Sequence, residues 1–279
     1  MSLRNFTRLA LNNYKVSVTL FLLLLLFAPV FSDLVQRWAE DPDYSHGFLV
    51  IPLCGYMIWR RRSSLASQAV NPSWGALPFL LVAVLLYLTS SFARFHTLTY
   101  ASMMLAVGSL LYFLLGTRIA TIMLFPVSLL LFMFPIPAAY YVYVTTPLKL
   151  LATAVSQHVI ALFDIPVYRE GNILYFPNTQ LEVVEACSGL RSLYAFLMLA
   201  FLFCDFANSK RSRYLILLST FPLAIAINIV RVVAVGILTY AGYTVVLTPF
   251  FHQLSGVLMF CFGLGLFCLE FALCQRFVR

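Results

Sequence analysis

The sequence predicts an all-α polytopic membrane protein, and three observations lead to this fold class. Of the 279 residues, 62% are hydrophobic and 10% are charged, whereas a soluble domain carries roughly 25% charged residues. The mean hydropathy is +0.93. The apolar residues gather into runs of spanning or near-spanning length, with basic residues beside particular runs. Residues 1–279 are therefore expected to form a single integral membrane domain.

The apolar runs predict about eight transmembrane helices. They fall at 16–32, 47–59, 75–92, 98–115, 119–135, 188–204, 214–241 and 254–274. The first run is long for the core of a cleaved signal and has no small-residue cleavage site before Asp33, so it is expected to be retained as the first span.

Charge segregation predicts the orientation of these spans. The basic clusters are Arg4, Arg8 and Lys15; Arg60, Arg61 and Arg62; Arg118; Lys210, Arg211 and Arg213; and Arg276 and Arg279. The positive-inside rule places all of them in the cytoplasm. Of the acidic residues, only Asp205 and Glu270 would then lie on the same side. Both termini are expected to be cytoplasmic.

Residues 140–163 form a further apolar segment that this orientation does not admit as a span, because counting it would move Lys210 and Arg211 outside. The segment contains Pro147, Lys149, Gln157 and His158. A helix lying in the outer interface, or a re-entrant one, reconciles the number of spans with the charges. A full span is the alternative.

A polar stretch at 167–184 follows and leads to Cys187. Turn-forming residues stand at Gly171-Asn172 and again at Pro177-Asn178, between short runs rich in strand-forming side chains. This pattern predicts a short β-hairpin on the extracytoplasmic side, immediately before the cysteine.

The most informative stretch is Glu185-Ala186-Cys187-Ser188-Gly189-Leu190-Arg191, where the polar loop gives way to an apolar run. A cysteine there is expected at the first turn of a membrane helix, where unpaired N–H groups and the helix dipole favour an anion. Arg191 would add a positive charge one turn on. Both effects favour the thiolate and predict a nucleophile. The alternative for Cys187 is a small buried hydrophobic residue.

Two other polar groups are predicted at the same depth. Arg231 lies 18 residues after the cytoplasmic Arg213, hence about 27 Å higher, and Asn228 lies one turn below it. An ionisable residue inside a span is a functional candidate, although Arg231 could instead reach headgroups or pair with Glu185. His252 begins the last span at the outer level, where a helix cap is its alternative role. Convergence of Cys187, Arg231 and His252 from three helices favours a shared site.

The remaining residues give weaker signals. His46, in the outer connection between the first two spans, is expected either to line a substrate entry or to act with Ser45 as a polar cap. The other five cysteines show no disulfide framework and no zinc spacing, so neither a metal nor a cofactor is predicted. The formal net charge of +8 falls at membrane boundaries, which indicates lipid and not nucleic acid as the partner.

Three segments of the chain resemble the signature segments of the exosortase/archaeosortase family of membrane cysteine transpeptidases. They are Glu185 to Arg191, quoted above, Asn228-Ile229-Val230-Arg231 and His252-Gln253-Leu254-Ser255-Gly256. Asp43 to Val50, followed by Trp59 to Arg62, is also similar, as is Arg169 to Ile173. The resemblance covers nearly the whole chain. It implies a bacterial inner-membrane exosortase whose active site is extracytoplasmic.

What the resemblance implies about function is specific. The substrates would be exported proteins with a C-terminal sorting signal, made of a short motif such as Pro-Glu-Pro, a membrane helix and a basic tail. Cys187 would attack the peptide carbonyl, His252 would transfer protons, and Arg231 would stabilise the oxyanion or hold the substrate. The supporting residues would be Arg191, Ser188, Glu185, Asn228 and His46. The acceptor is unknown, with a polysaccharide or a lipid-linked amine as candidates.

Two other functions fit the residues. A transporter or an assembly subunit for polysaccharide export could use Arg231 and His252 to bind an anionic ligand. Transporters often show inverted repeats and sites at the bilayer midplane; the sequence has no such repeat, and its polar groups gather at one face. A hydrolase that cleaves without transfer would form the same thioester.

Overall fold

The computed structural model describes residues 14–41, 43–184 and 189–277. Glu185, Cys187 and Ser188 therefore lie outside the described residues, and of His252 only the backbone is described. The chain divides into two compact units, residues 1–136 and 137–279, and each is considered by itself. The single domain stays a prediction.

Within the described residues, five helices are long and apolar enough to cross a membrane. They are Phe21–Glu40, Trp74–Phe92, His96–Leu115, Lys210–Tyr240 and Gln253–Phe277. Three shorter apolar helices accompany them, namely Gly47–Arg60, Thr117–Met133 and Leu190–Cys204. These segments coincide with the apolar runs of the sequence. The protein is a helical polytopic membrane protein, and the total of eight spans stays a prediction.

The described part of the first unit contains the helices α1 to α6. They are α1 (Tyr14–Glu40), α2 (Gly47–Arg60), α3 (Arg62–Ala66), α4 (Leu77–Phe92), α5 (His96–Leu115) and α6 (Thr117–Ser128). Trp38 anchors the junction of α1 and α2, with 2% of its surface exposed. Its indole Nε1 donates to the Met133 carbonyl at 2.9 Å, and its ring lies directly on Gly47, where a Cβ would overlap it. Glycine therefore lets α2 begin in contact with α1.

The second unit is built around its longest helix. Its described helices are α7 (Ala138–Ala161), α8 (Leu190–Cys204), α9 (Lys210–Tyr240) and α10 (Pro249–Phe277). Helix α9 packs against the other three. Close approach is possible because Gly263 of α10 has no side chain at the point where Ile227 of α9 and Phe196 of α8 meet it.

Helix α7 covers the segment whose membrane position the sequence leaves open. It is a continuous helix of 24 residues, about 36 Å long, and it is not among the five helices that meet the length and hydropathy requirements for a span. Its buried positions, including Ala152, Ser156 and Ile160, recur at helical spacing on one face. Because this face packs on α9, the helix belongs to the core of the second unit. Its interfacial placement stays a prediction.

A small antiparallel sheet separates α7 from α8. Its strands are β1 (Tyr168–Glu170), β2 (Ile173–Phe176) and β3 (Thr179–Glu182), in the order β1-β2-β3. The turns fall at Gly171-Asn172 and Pro177-Asn178, where the sequence places them. Two linked hairpins thus stand where one is predicted. The sheet buries Leu174, Phe176, Leu181 and Val183 against Ile160 of α7 and against Val232 and Val233 of α9.

Candidate active site

Arg231 is the charged residue at the centre of the site. It lies in α9 with 7% of its surface exposed, and Asn228, one turn earlier, is 4% exposed. The Nη2 group of Arg231 donates to the Asn228 Oδ1 atom at 2.9 Å. A buried guanidinium needs hydrogen-bond acceptors to offset its lost hydration. Asn228 supplies one acceptor and fixes the direction in which the planar guanidinium lies.

The chain that follows Cys187 passes directly against Asn228. Gly189 is the N-cap of α8 and has a left-handed backbone, with φ 82° and ψ 2°. A Cβ on Gly189 would lie 2.9 Å from Asn228 Cγ. Only glycine combines this φ with this contact at little cost. Asn228 therefore joins the start of α8 to Arg231.

Helix α10 meets Arg231 from the other side. A Cβ on Gly256 would lie 3.6 Å from the Arg231 Nη1 atom, and Ser255, beside it in the chain, is 9% exposed. His252 lies one helical turn before these two residues in the same helix. Gly256 therefore lies within van der Waals reach of the guanidinium.

A cleft opens beside Arg231. Its volume is about 140 Å³. Its lining consists of Leu181, Glu182, Val183 and Val184, of Arg231, Val232 and Val235 from α9, of Val246 and Leu247 from the 3-10 turn Thr244–Leu247, and of Ser255. Val184 is the last described residue before the segment that holds Cys187. The cleft is mostly aliphatic, with Arg231, Glu182 and Ser255 as its polar side chains.

The structure thus brings three predicted segments to one place. Val184, on one side of residues 185–188, lines the same cleft as Arg231. Gly189, on the other side, lies against Asn228. The Ser255-Gly256 pair, one turn after His252, completes the cluster. Of the predicted site residues, Arg231 and Asn228 are in direct contact.

Cys187 is predicted at the first turn of a helix, but it lies outside the described residues, so this placement stays a prediction. As described, α8 begins at Leu190, after the left-handed Gly189. A left-handed residue interrupts the right-handed helical path, which is the physical reason for the later start. Gly189 consequently caps the helix, and Arg191 is its second residue. The Arg191 side chain is exposed.

His46 lies in the first unit. It occupies the N-cap position of α2 but makes no capping hydrogen bond there; its Nε2 atom lies 3.0 Å from the Phe132 carbonyl oxygen. Burial lowers the pKa of His46 below its ordinary value, and this effect exceeds the opposing influence of the hydrogen bonds and of Asp43. The described contacts of His46 belong to the packing of that unit.

Three features of the site were missed by reasoning from sequence. They are the contact of Gly189 with Asn228, the wall formed by residues 181–184, and the close approach of Gly256 to Arg231. Gly189 and Gly256 both lie in the signature segments of the sequence, each directly after a serine. A glycine beside a candidate catalytic residue indicates a close backbone approach, and this was the available signal.

The fold and this cluster define a class of protein. It is a helical membrane protein in which a buried arginine lies where three helices and a small sheet meet. The family model described as transmembrane exosortase matches residues 38–269, which include every segment of the cluster. The chain belongs to the transmembrane exosortase family. The comparisons with curated proteins and with solved structures found no match.

Proposed function

We propose that the protein is a membrane cysteine peptidase and transpeptidase that removes a C-terminal sorting signal from exported proteins. One observation carries the proposal: on one flank of the Cys187 segment, Val184 lines the same cleft as Arg231 and Ser255, and on the other flank, Gly189 lies against Asn228. A nucleophile, a cation and a proton carrier are the groups that acyl transfer requires. Membership of the exosortase family supports the same reaction.

The proposed reaction proceeds through a thioester. The Cys187 thiolate attacks the carbonyl carbon of the scissile peptide, and Arg231 stabilises the oxyanion, because its guanidinium stays charged at any working pH. The C–N bond breaks, and the leaving amine takes a proton from the His252 imidazolium. The thioester then reacts with an acceptor amine, whose proton passes to His252, and Cys187 leaves as a thiolate. Water in place of the amine gives hydrolysis.

The remaining site residues have supporting roles in this proposal. Asn228 orients Arg231 through the 2.9 Å hydrogen bond. Arg191 assists by its positive charge near the start of α8. Glu185 and Ser188 lie beside the nucleophile in the chain, and His46 is proposed only for substrate entry.

The proposed setting is the inner membrane of a bacterium, with both termini in the cytoplasm and the site at the outer face. The substrate's apolar helix would enter the bilayer and its basic tail would stay cytoplasmic, which holds the scissile motif at the outer face. Reporter fusions after Arg62, Glu182 and Arg211 are expected to read inside, outside and inside. A cytoplasmic signal from the fusion after Glu182 would place the site at the cytoplasmic face and contradict the proposed orientation.

The decisive experiment replaces the nucleophile. An exported reporter ending in Pro-Glu-Pro, an apolar helix and an Arg cluster is co-expressed with the protein, and a blot measures the shortened product. Cys187→Ala is expected to abolish processing. Cys204→Ala is the matched control, because Cys204 is a buried cysteine of α8 whose thiol contacts the Arg213 carbonyl oxygen at 3.6 Å.

Each outcome of this experiment assigns or removes the mechanism. Normal processing by Cys187→Ala would contradict the cysteine mechanism and favour a transporter or an assembly subunit. Loss with Cys204→Ala alone would show that the other thiol is the nucleophile. The mass of the product's new C-terminus separates transfer from hydrolysis, since hydrolysis leaves a free carboxylate.

A further inference from the structure

Strand β3 has one edge that faces away from its own sheet. The Val183 N–H donates to the carbonyl oxygen of Asn172, the residue directly before β2, at 2.9 Å. In an antiparallel ladder, successive residues direct their N–H and C=O groups to opposite sides. The groups of residues 179, 181 and 183 therefore point toward β2, and those of 180, 182 and 184 point outward. No backbone hydrogen bond within the described part of the chain reaches this outer edge.

The cleft beside Arg231 runs along this edge. Side chains of a strand point alternately to opposite faces, so a cavity lined by four successive residues, 181–184, lies alongside the main chain and not above one face. Leu181 and Val183 are buried in the core under the sheet, while Glu182 and Val184 are exposed. The opposite wall is aliphatic and belongs to α9 and to the turn Thr244–Leu247.

The same edge leads to the proposed nucleophile. Cys187 follows Val184 by three residues, and Arg231 lines the cleft that Val184 lines. A peptide lying along β3 would meet the outward main-chain groups on one side, aliphatic side chains on the other, and the guanidinium of Arg231, whose N–H groups are hydrogen-bond donors. An extended polypeptide is the ligand that satisfies all three at once.

We propose that the extended segment of the exported protein around its scissile bond adds to the outer edge of β3 as a fourth strand. The inference rests on the proposed function, and it assigns the mode of substrate recognition. The N–H and C=O groups of Glu182, with those of Gln180 and Val184, bind the substrate main chain. One apolar side chain of the substrate enters the aliphatic part of the cleft, and this side chain sets the preference for sequence.

The first test removes one outward N–H group. Proline at an edge position whose N–H faces away from the ladder leaves the bonds to β2 in place. Glu182→Pro is expected to lower the rate of processing of the exported reporter about tenfold or more, as for one lost hydrogen bond with a displaced partner. Glu182→Ala removes the same carboxylate but keeps the N–H, so the rate of Glu182→Pro relative to Glu182→Ala isolates the effect of the lost N–H.

Arg169→Pro is the matched control on the other edge of the sheet. The pairing of Glu170 with Ile173 and of Tyr168 with Tyr175 turns the peptide group of Arg169 outward from β1. Both proline variants replace a charged residue on an edge strand, but only that at Glu182 borders the cleft. Processing by Arg169→Pro should stay close to wild type. Equal losses in the two proline variants would overturn the strand pairing.

A second test records the geometry of the complex. Glu182→Cys is introduced into the Cys187→Ala protein, and single cysteines are placed successively along a cysteine-free reporter around its scissile motif. Strand pairing predicts disulfide-linked products at every second position. A repeat of three or four positions would indicate a helical substrate and contradict the inference, as would equal cross-linking to Arg169→Cys.

The failure of the proposed function and that of this inference are distinguishable. If Cys187→Ala still processes the reporter, the cysteine peptidase proposal is wrong, irrespective of the results for the β3 variants. If Cys187→Ala abolishes processing while Glu182→Pro matches Arg169→Pro, the peptidase stands and the pairing with β3 is wrong.

Discussion

The two units each hold a charged cluster among apolar helices, and the described surroundings of the two clusters differ. In the first unit, Asp33 of α1 accepts hydrogen bonds from the Tyr100 hydroxyl at 2.7 Å and from Arg37 Nε at 3.0 Å. In the second unit, Arg231 donates to the neutral amide of Asn228 and lies on a cleft. The described contacts of the first cluster join a carboxylate to a cation, whereas the cation of the second cluster lines a cleft.

Under the proposed function, this difference separates a structural role from a chemical one. The Tyr100–Asp33 hydrogen bond joins α5 to α1 and would be lost if either helix moved, while Arg37 pairs with Asp33 within α1, so the cluster stabilises packing. A cation that lines a cleft can act on a group that enters the cleft, and such a cation stabilises negative charge that develops during a reaction.

The largest effect is expected from a matched pair of arginine substitutions. Arg231→Lys keeps the charge but replaces the planar fork by a point charge, so processing of the reporter should fall roughly 10²-fold or more. Arg37→Lys makes the same change in the first cluster, where the side chain is 40% exposed, and should process within about twofold of wild type. Quantified product formation over time measures both. Near-normal processing by Arg231→Lys would reduce the arginine to an electrostatic anchor.

Two left-handed glycines provide the next comparison. Gly189 has φ 82° and abuts Asn228, whereas Gly171 has φ 59° and open space where a Cβ would lie. Alanine costs about 1–2 kcal/mol of backbone strain at either position, but only Gly189→Ala displaces the amide that orients Arg231. Processing by Gly189→Ala is expected to fall about tenfold below that of Gly171→Ala. Equal activity of the two variants would remove Asn228 from the mechanism.

A smaller effect is expected on stability alone. Tyr100→Phe deletes the hydroxyl that donates to Asp33 and should lower the free energy of unfolding by about 1.5 kcal/mol, because the acceptor is charged. Tyr143→Phe, at a position that is 79% exposed, is the control and should have no measurable effect. Thermal unfolding of the purified protein in detergent compares them. A loss of processing by folded Tyr100→Phe would show that the first cluster is not merely structural.

The smallest effect concerns pH. Burial lowers the pKa of His46 from its ordinary value of 6.5, so the folded state favours the neutral ring. The resulting stability is present above pH 6.5 and is lost as the pH falls through 6.5 toward the lower folded pKa. His46→Gln should therefore weaken the decline in unfolding temperature on acidification. His158→Gln, at an exposed position of α7, serves as the control; an unchanged decline in His46→Gln would contradict the assignment.

The sequence predicted the positions that follow from periodicity and depth. Counting residues from Arg213 placed Arg231 level with the start of the last span, and Arg231 lies against Gly256, one turn after His252. Turn-forming residues predicted both turns of the sheet, because Gly171 must adopt a positive φ and Pro177 cannot continue a ladder. These signals are local, and they need no knowledge of a distant partner.

The missed features depend on contacts between distant residues. Gly189 must be a glycine because Asn228, 39 residues later, occupies the space of its side chain. The apolar run alone gave no sign that the helix would start only at Leu190. Strand β3 was likewise missed because its Leu181 becomes buried only where the sheet packs on α7 and α9. Tertiary packing decides such positions, and single-sequence patterns do not record it.

The two contacts that flank residues 185–188 make the length of this segment a constraint in its own right. Val184 lines the cleft and Gly189 lies against Asn228. A residue inserted between them would therefore displace one of these two contacts. Loops elsewhere on the surface tolerate insertions well. We expect that insertions and deletions between Val184 and Gly189 are not tolerated even where substitutions are. The number of residues around Cys187, and not only their types, should therefore be inherited.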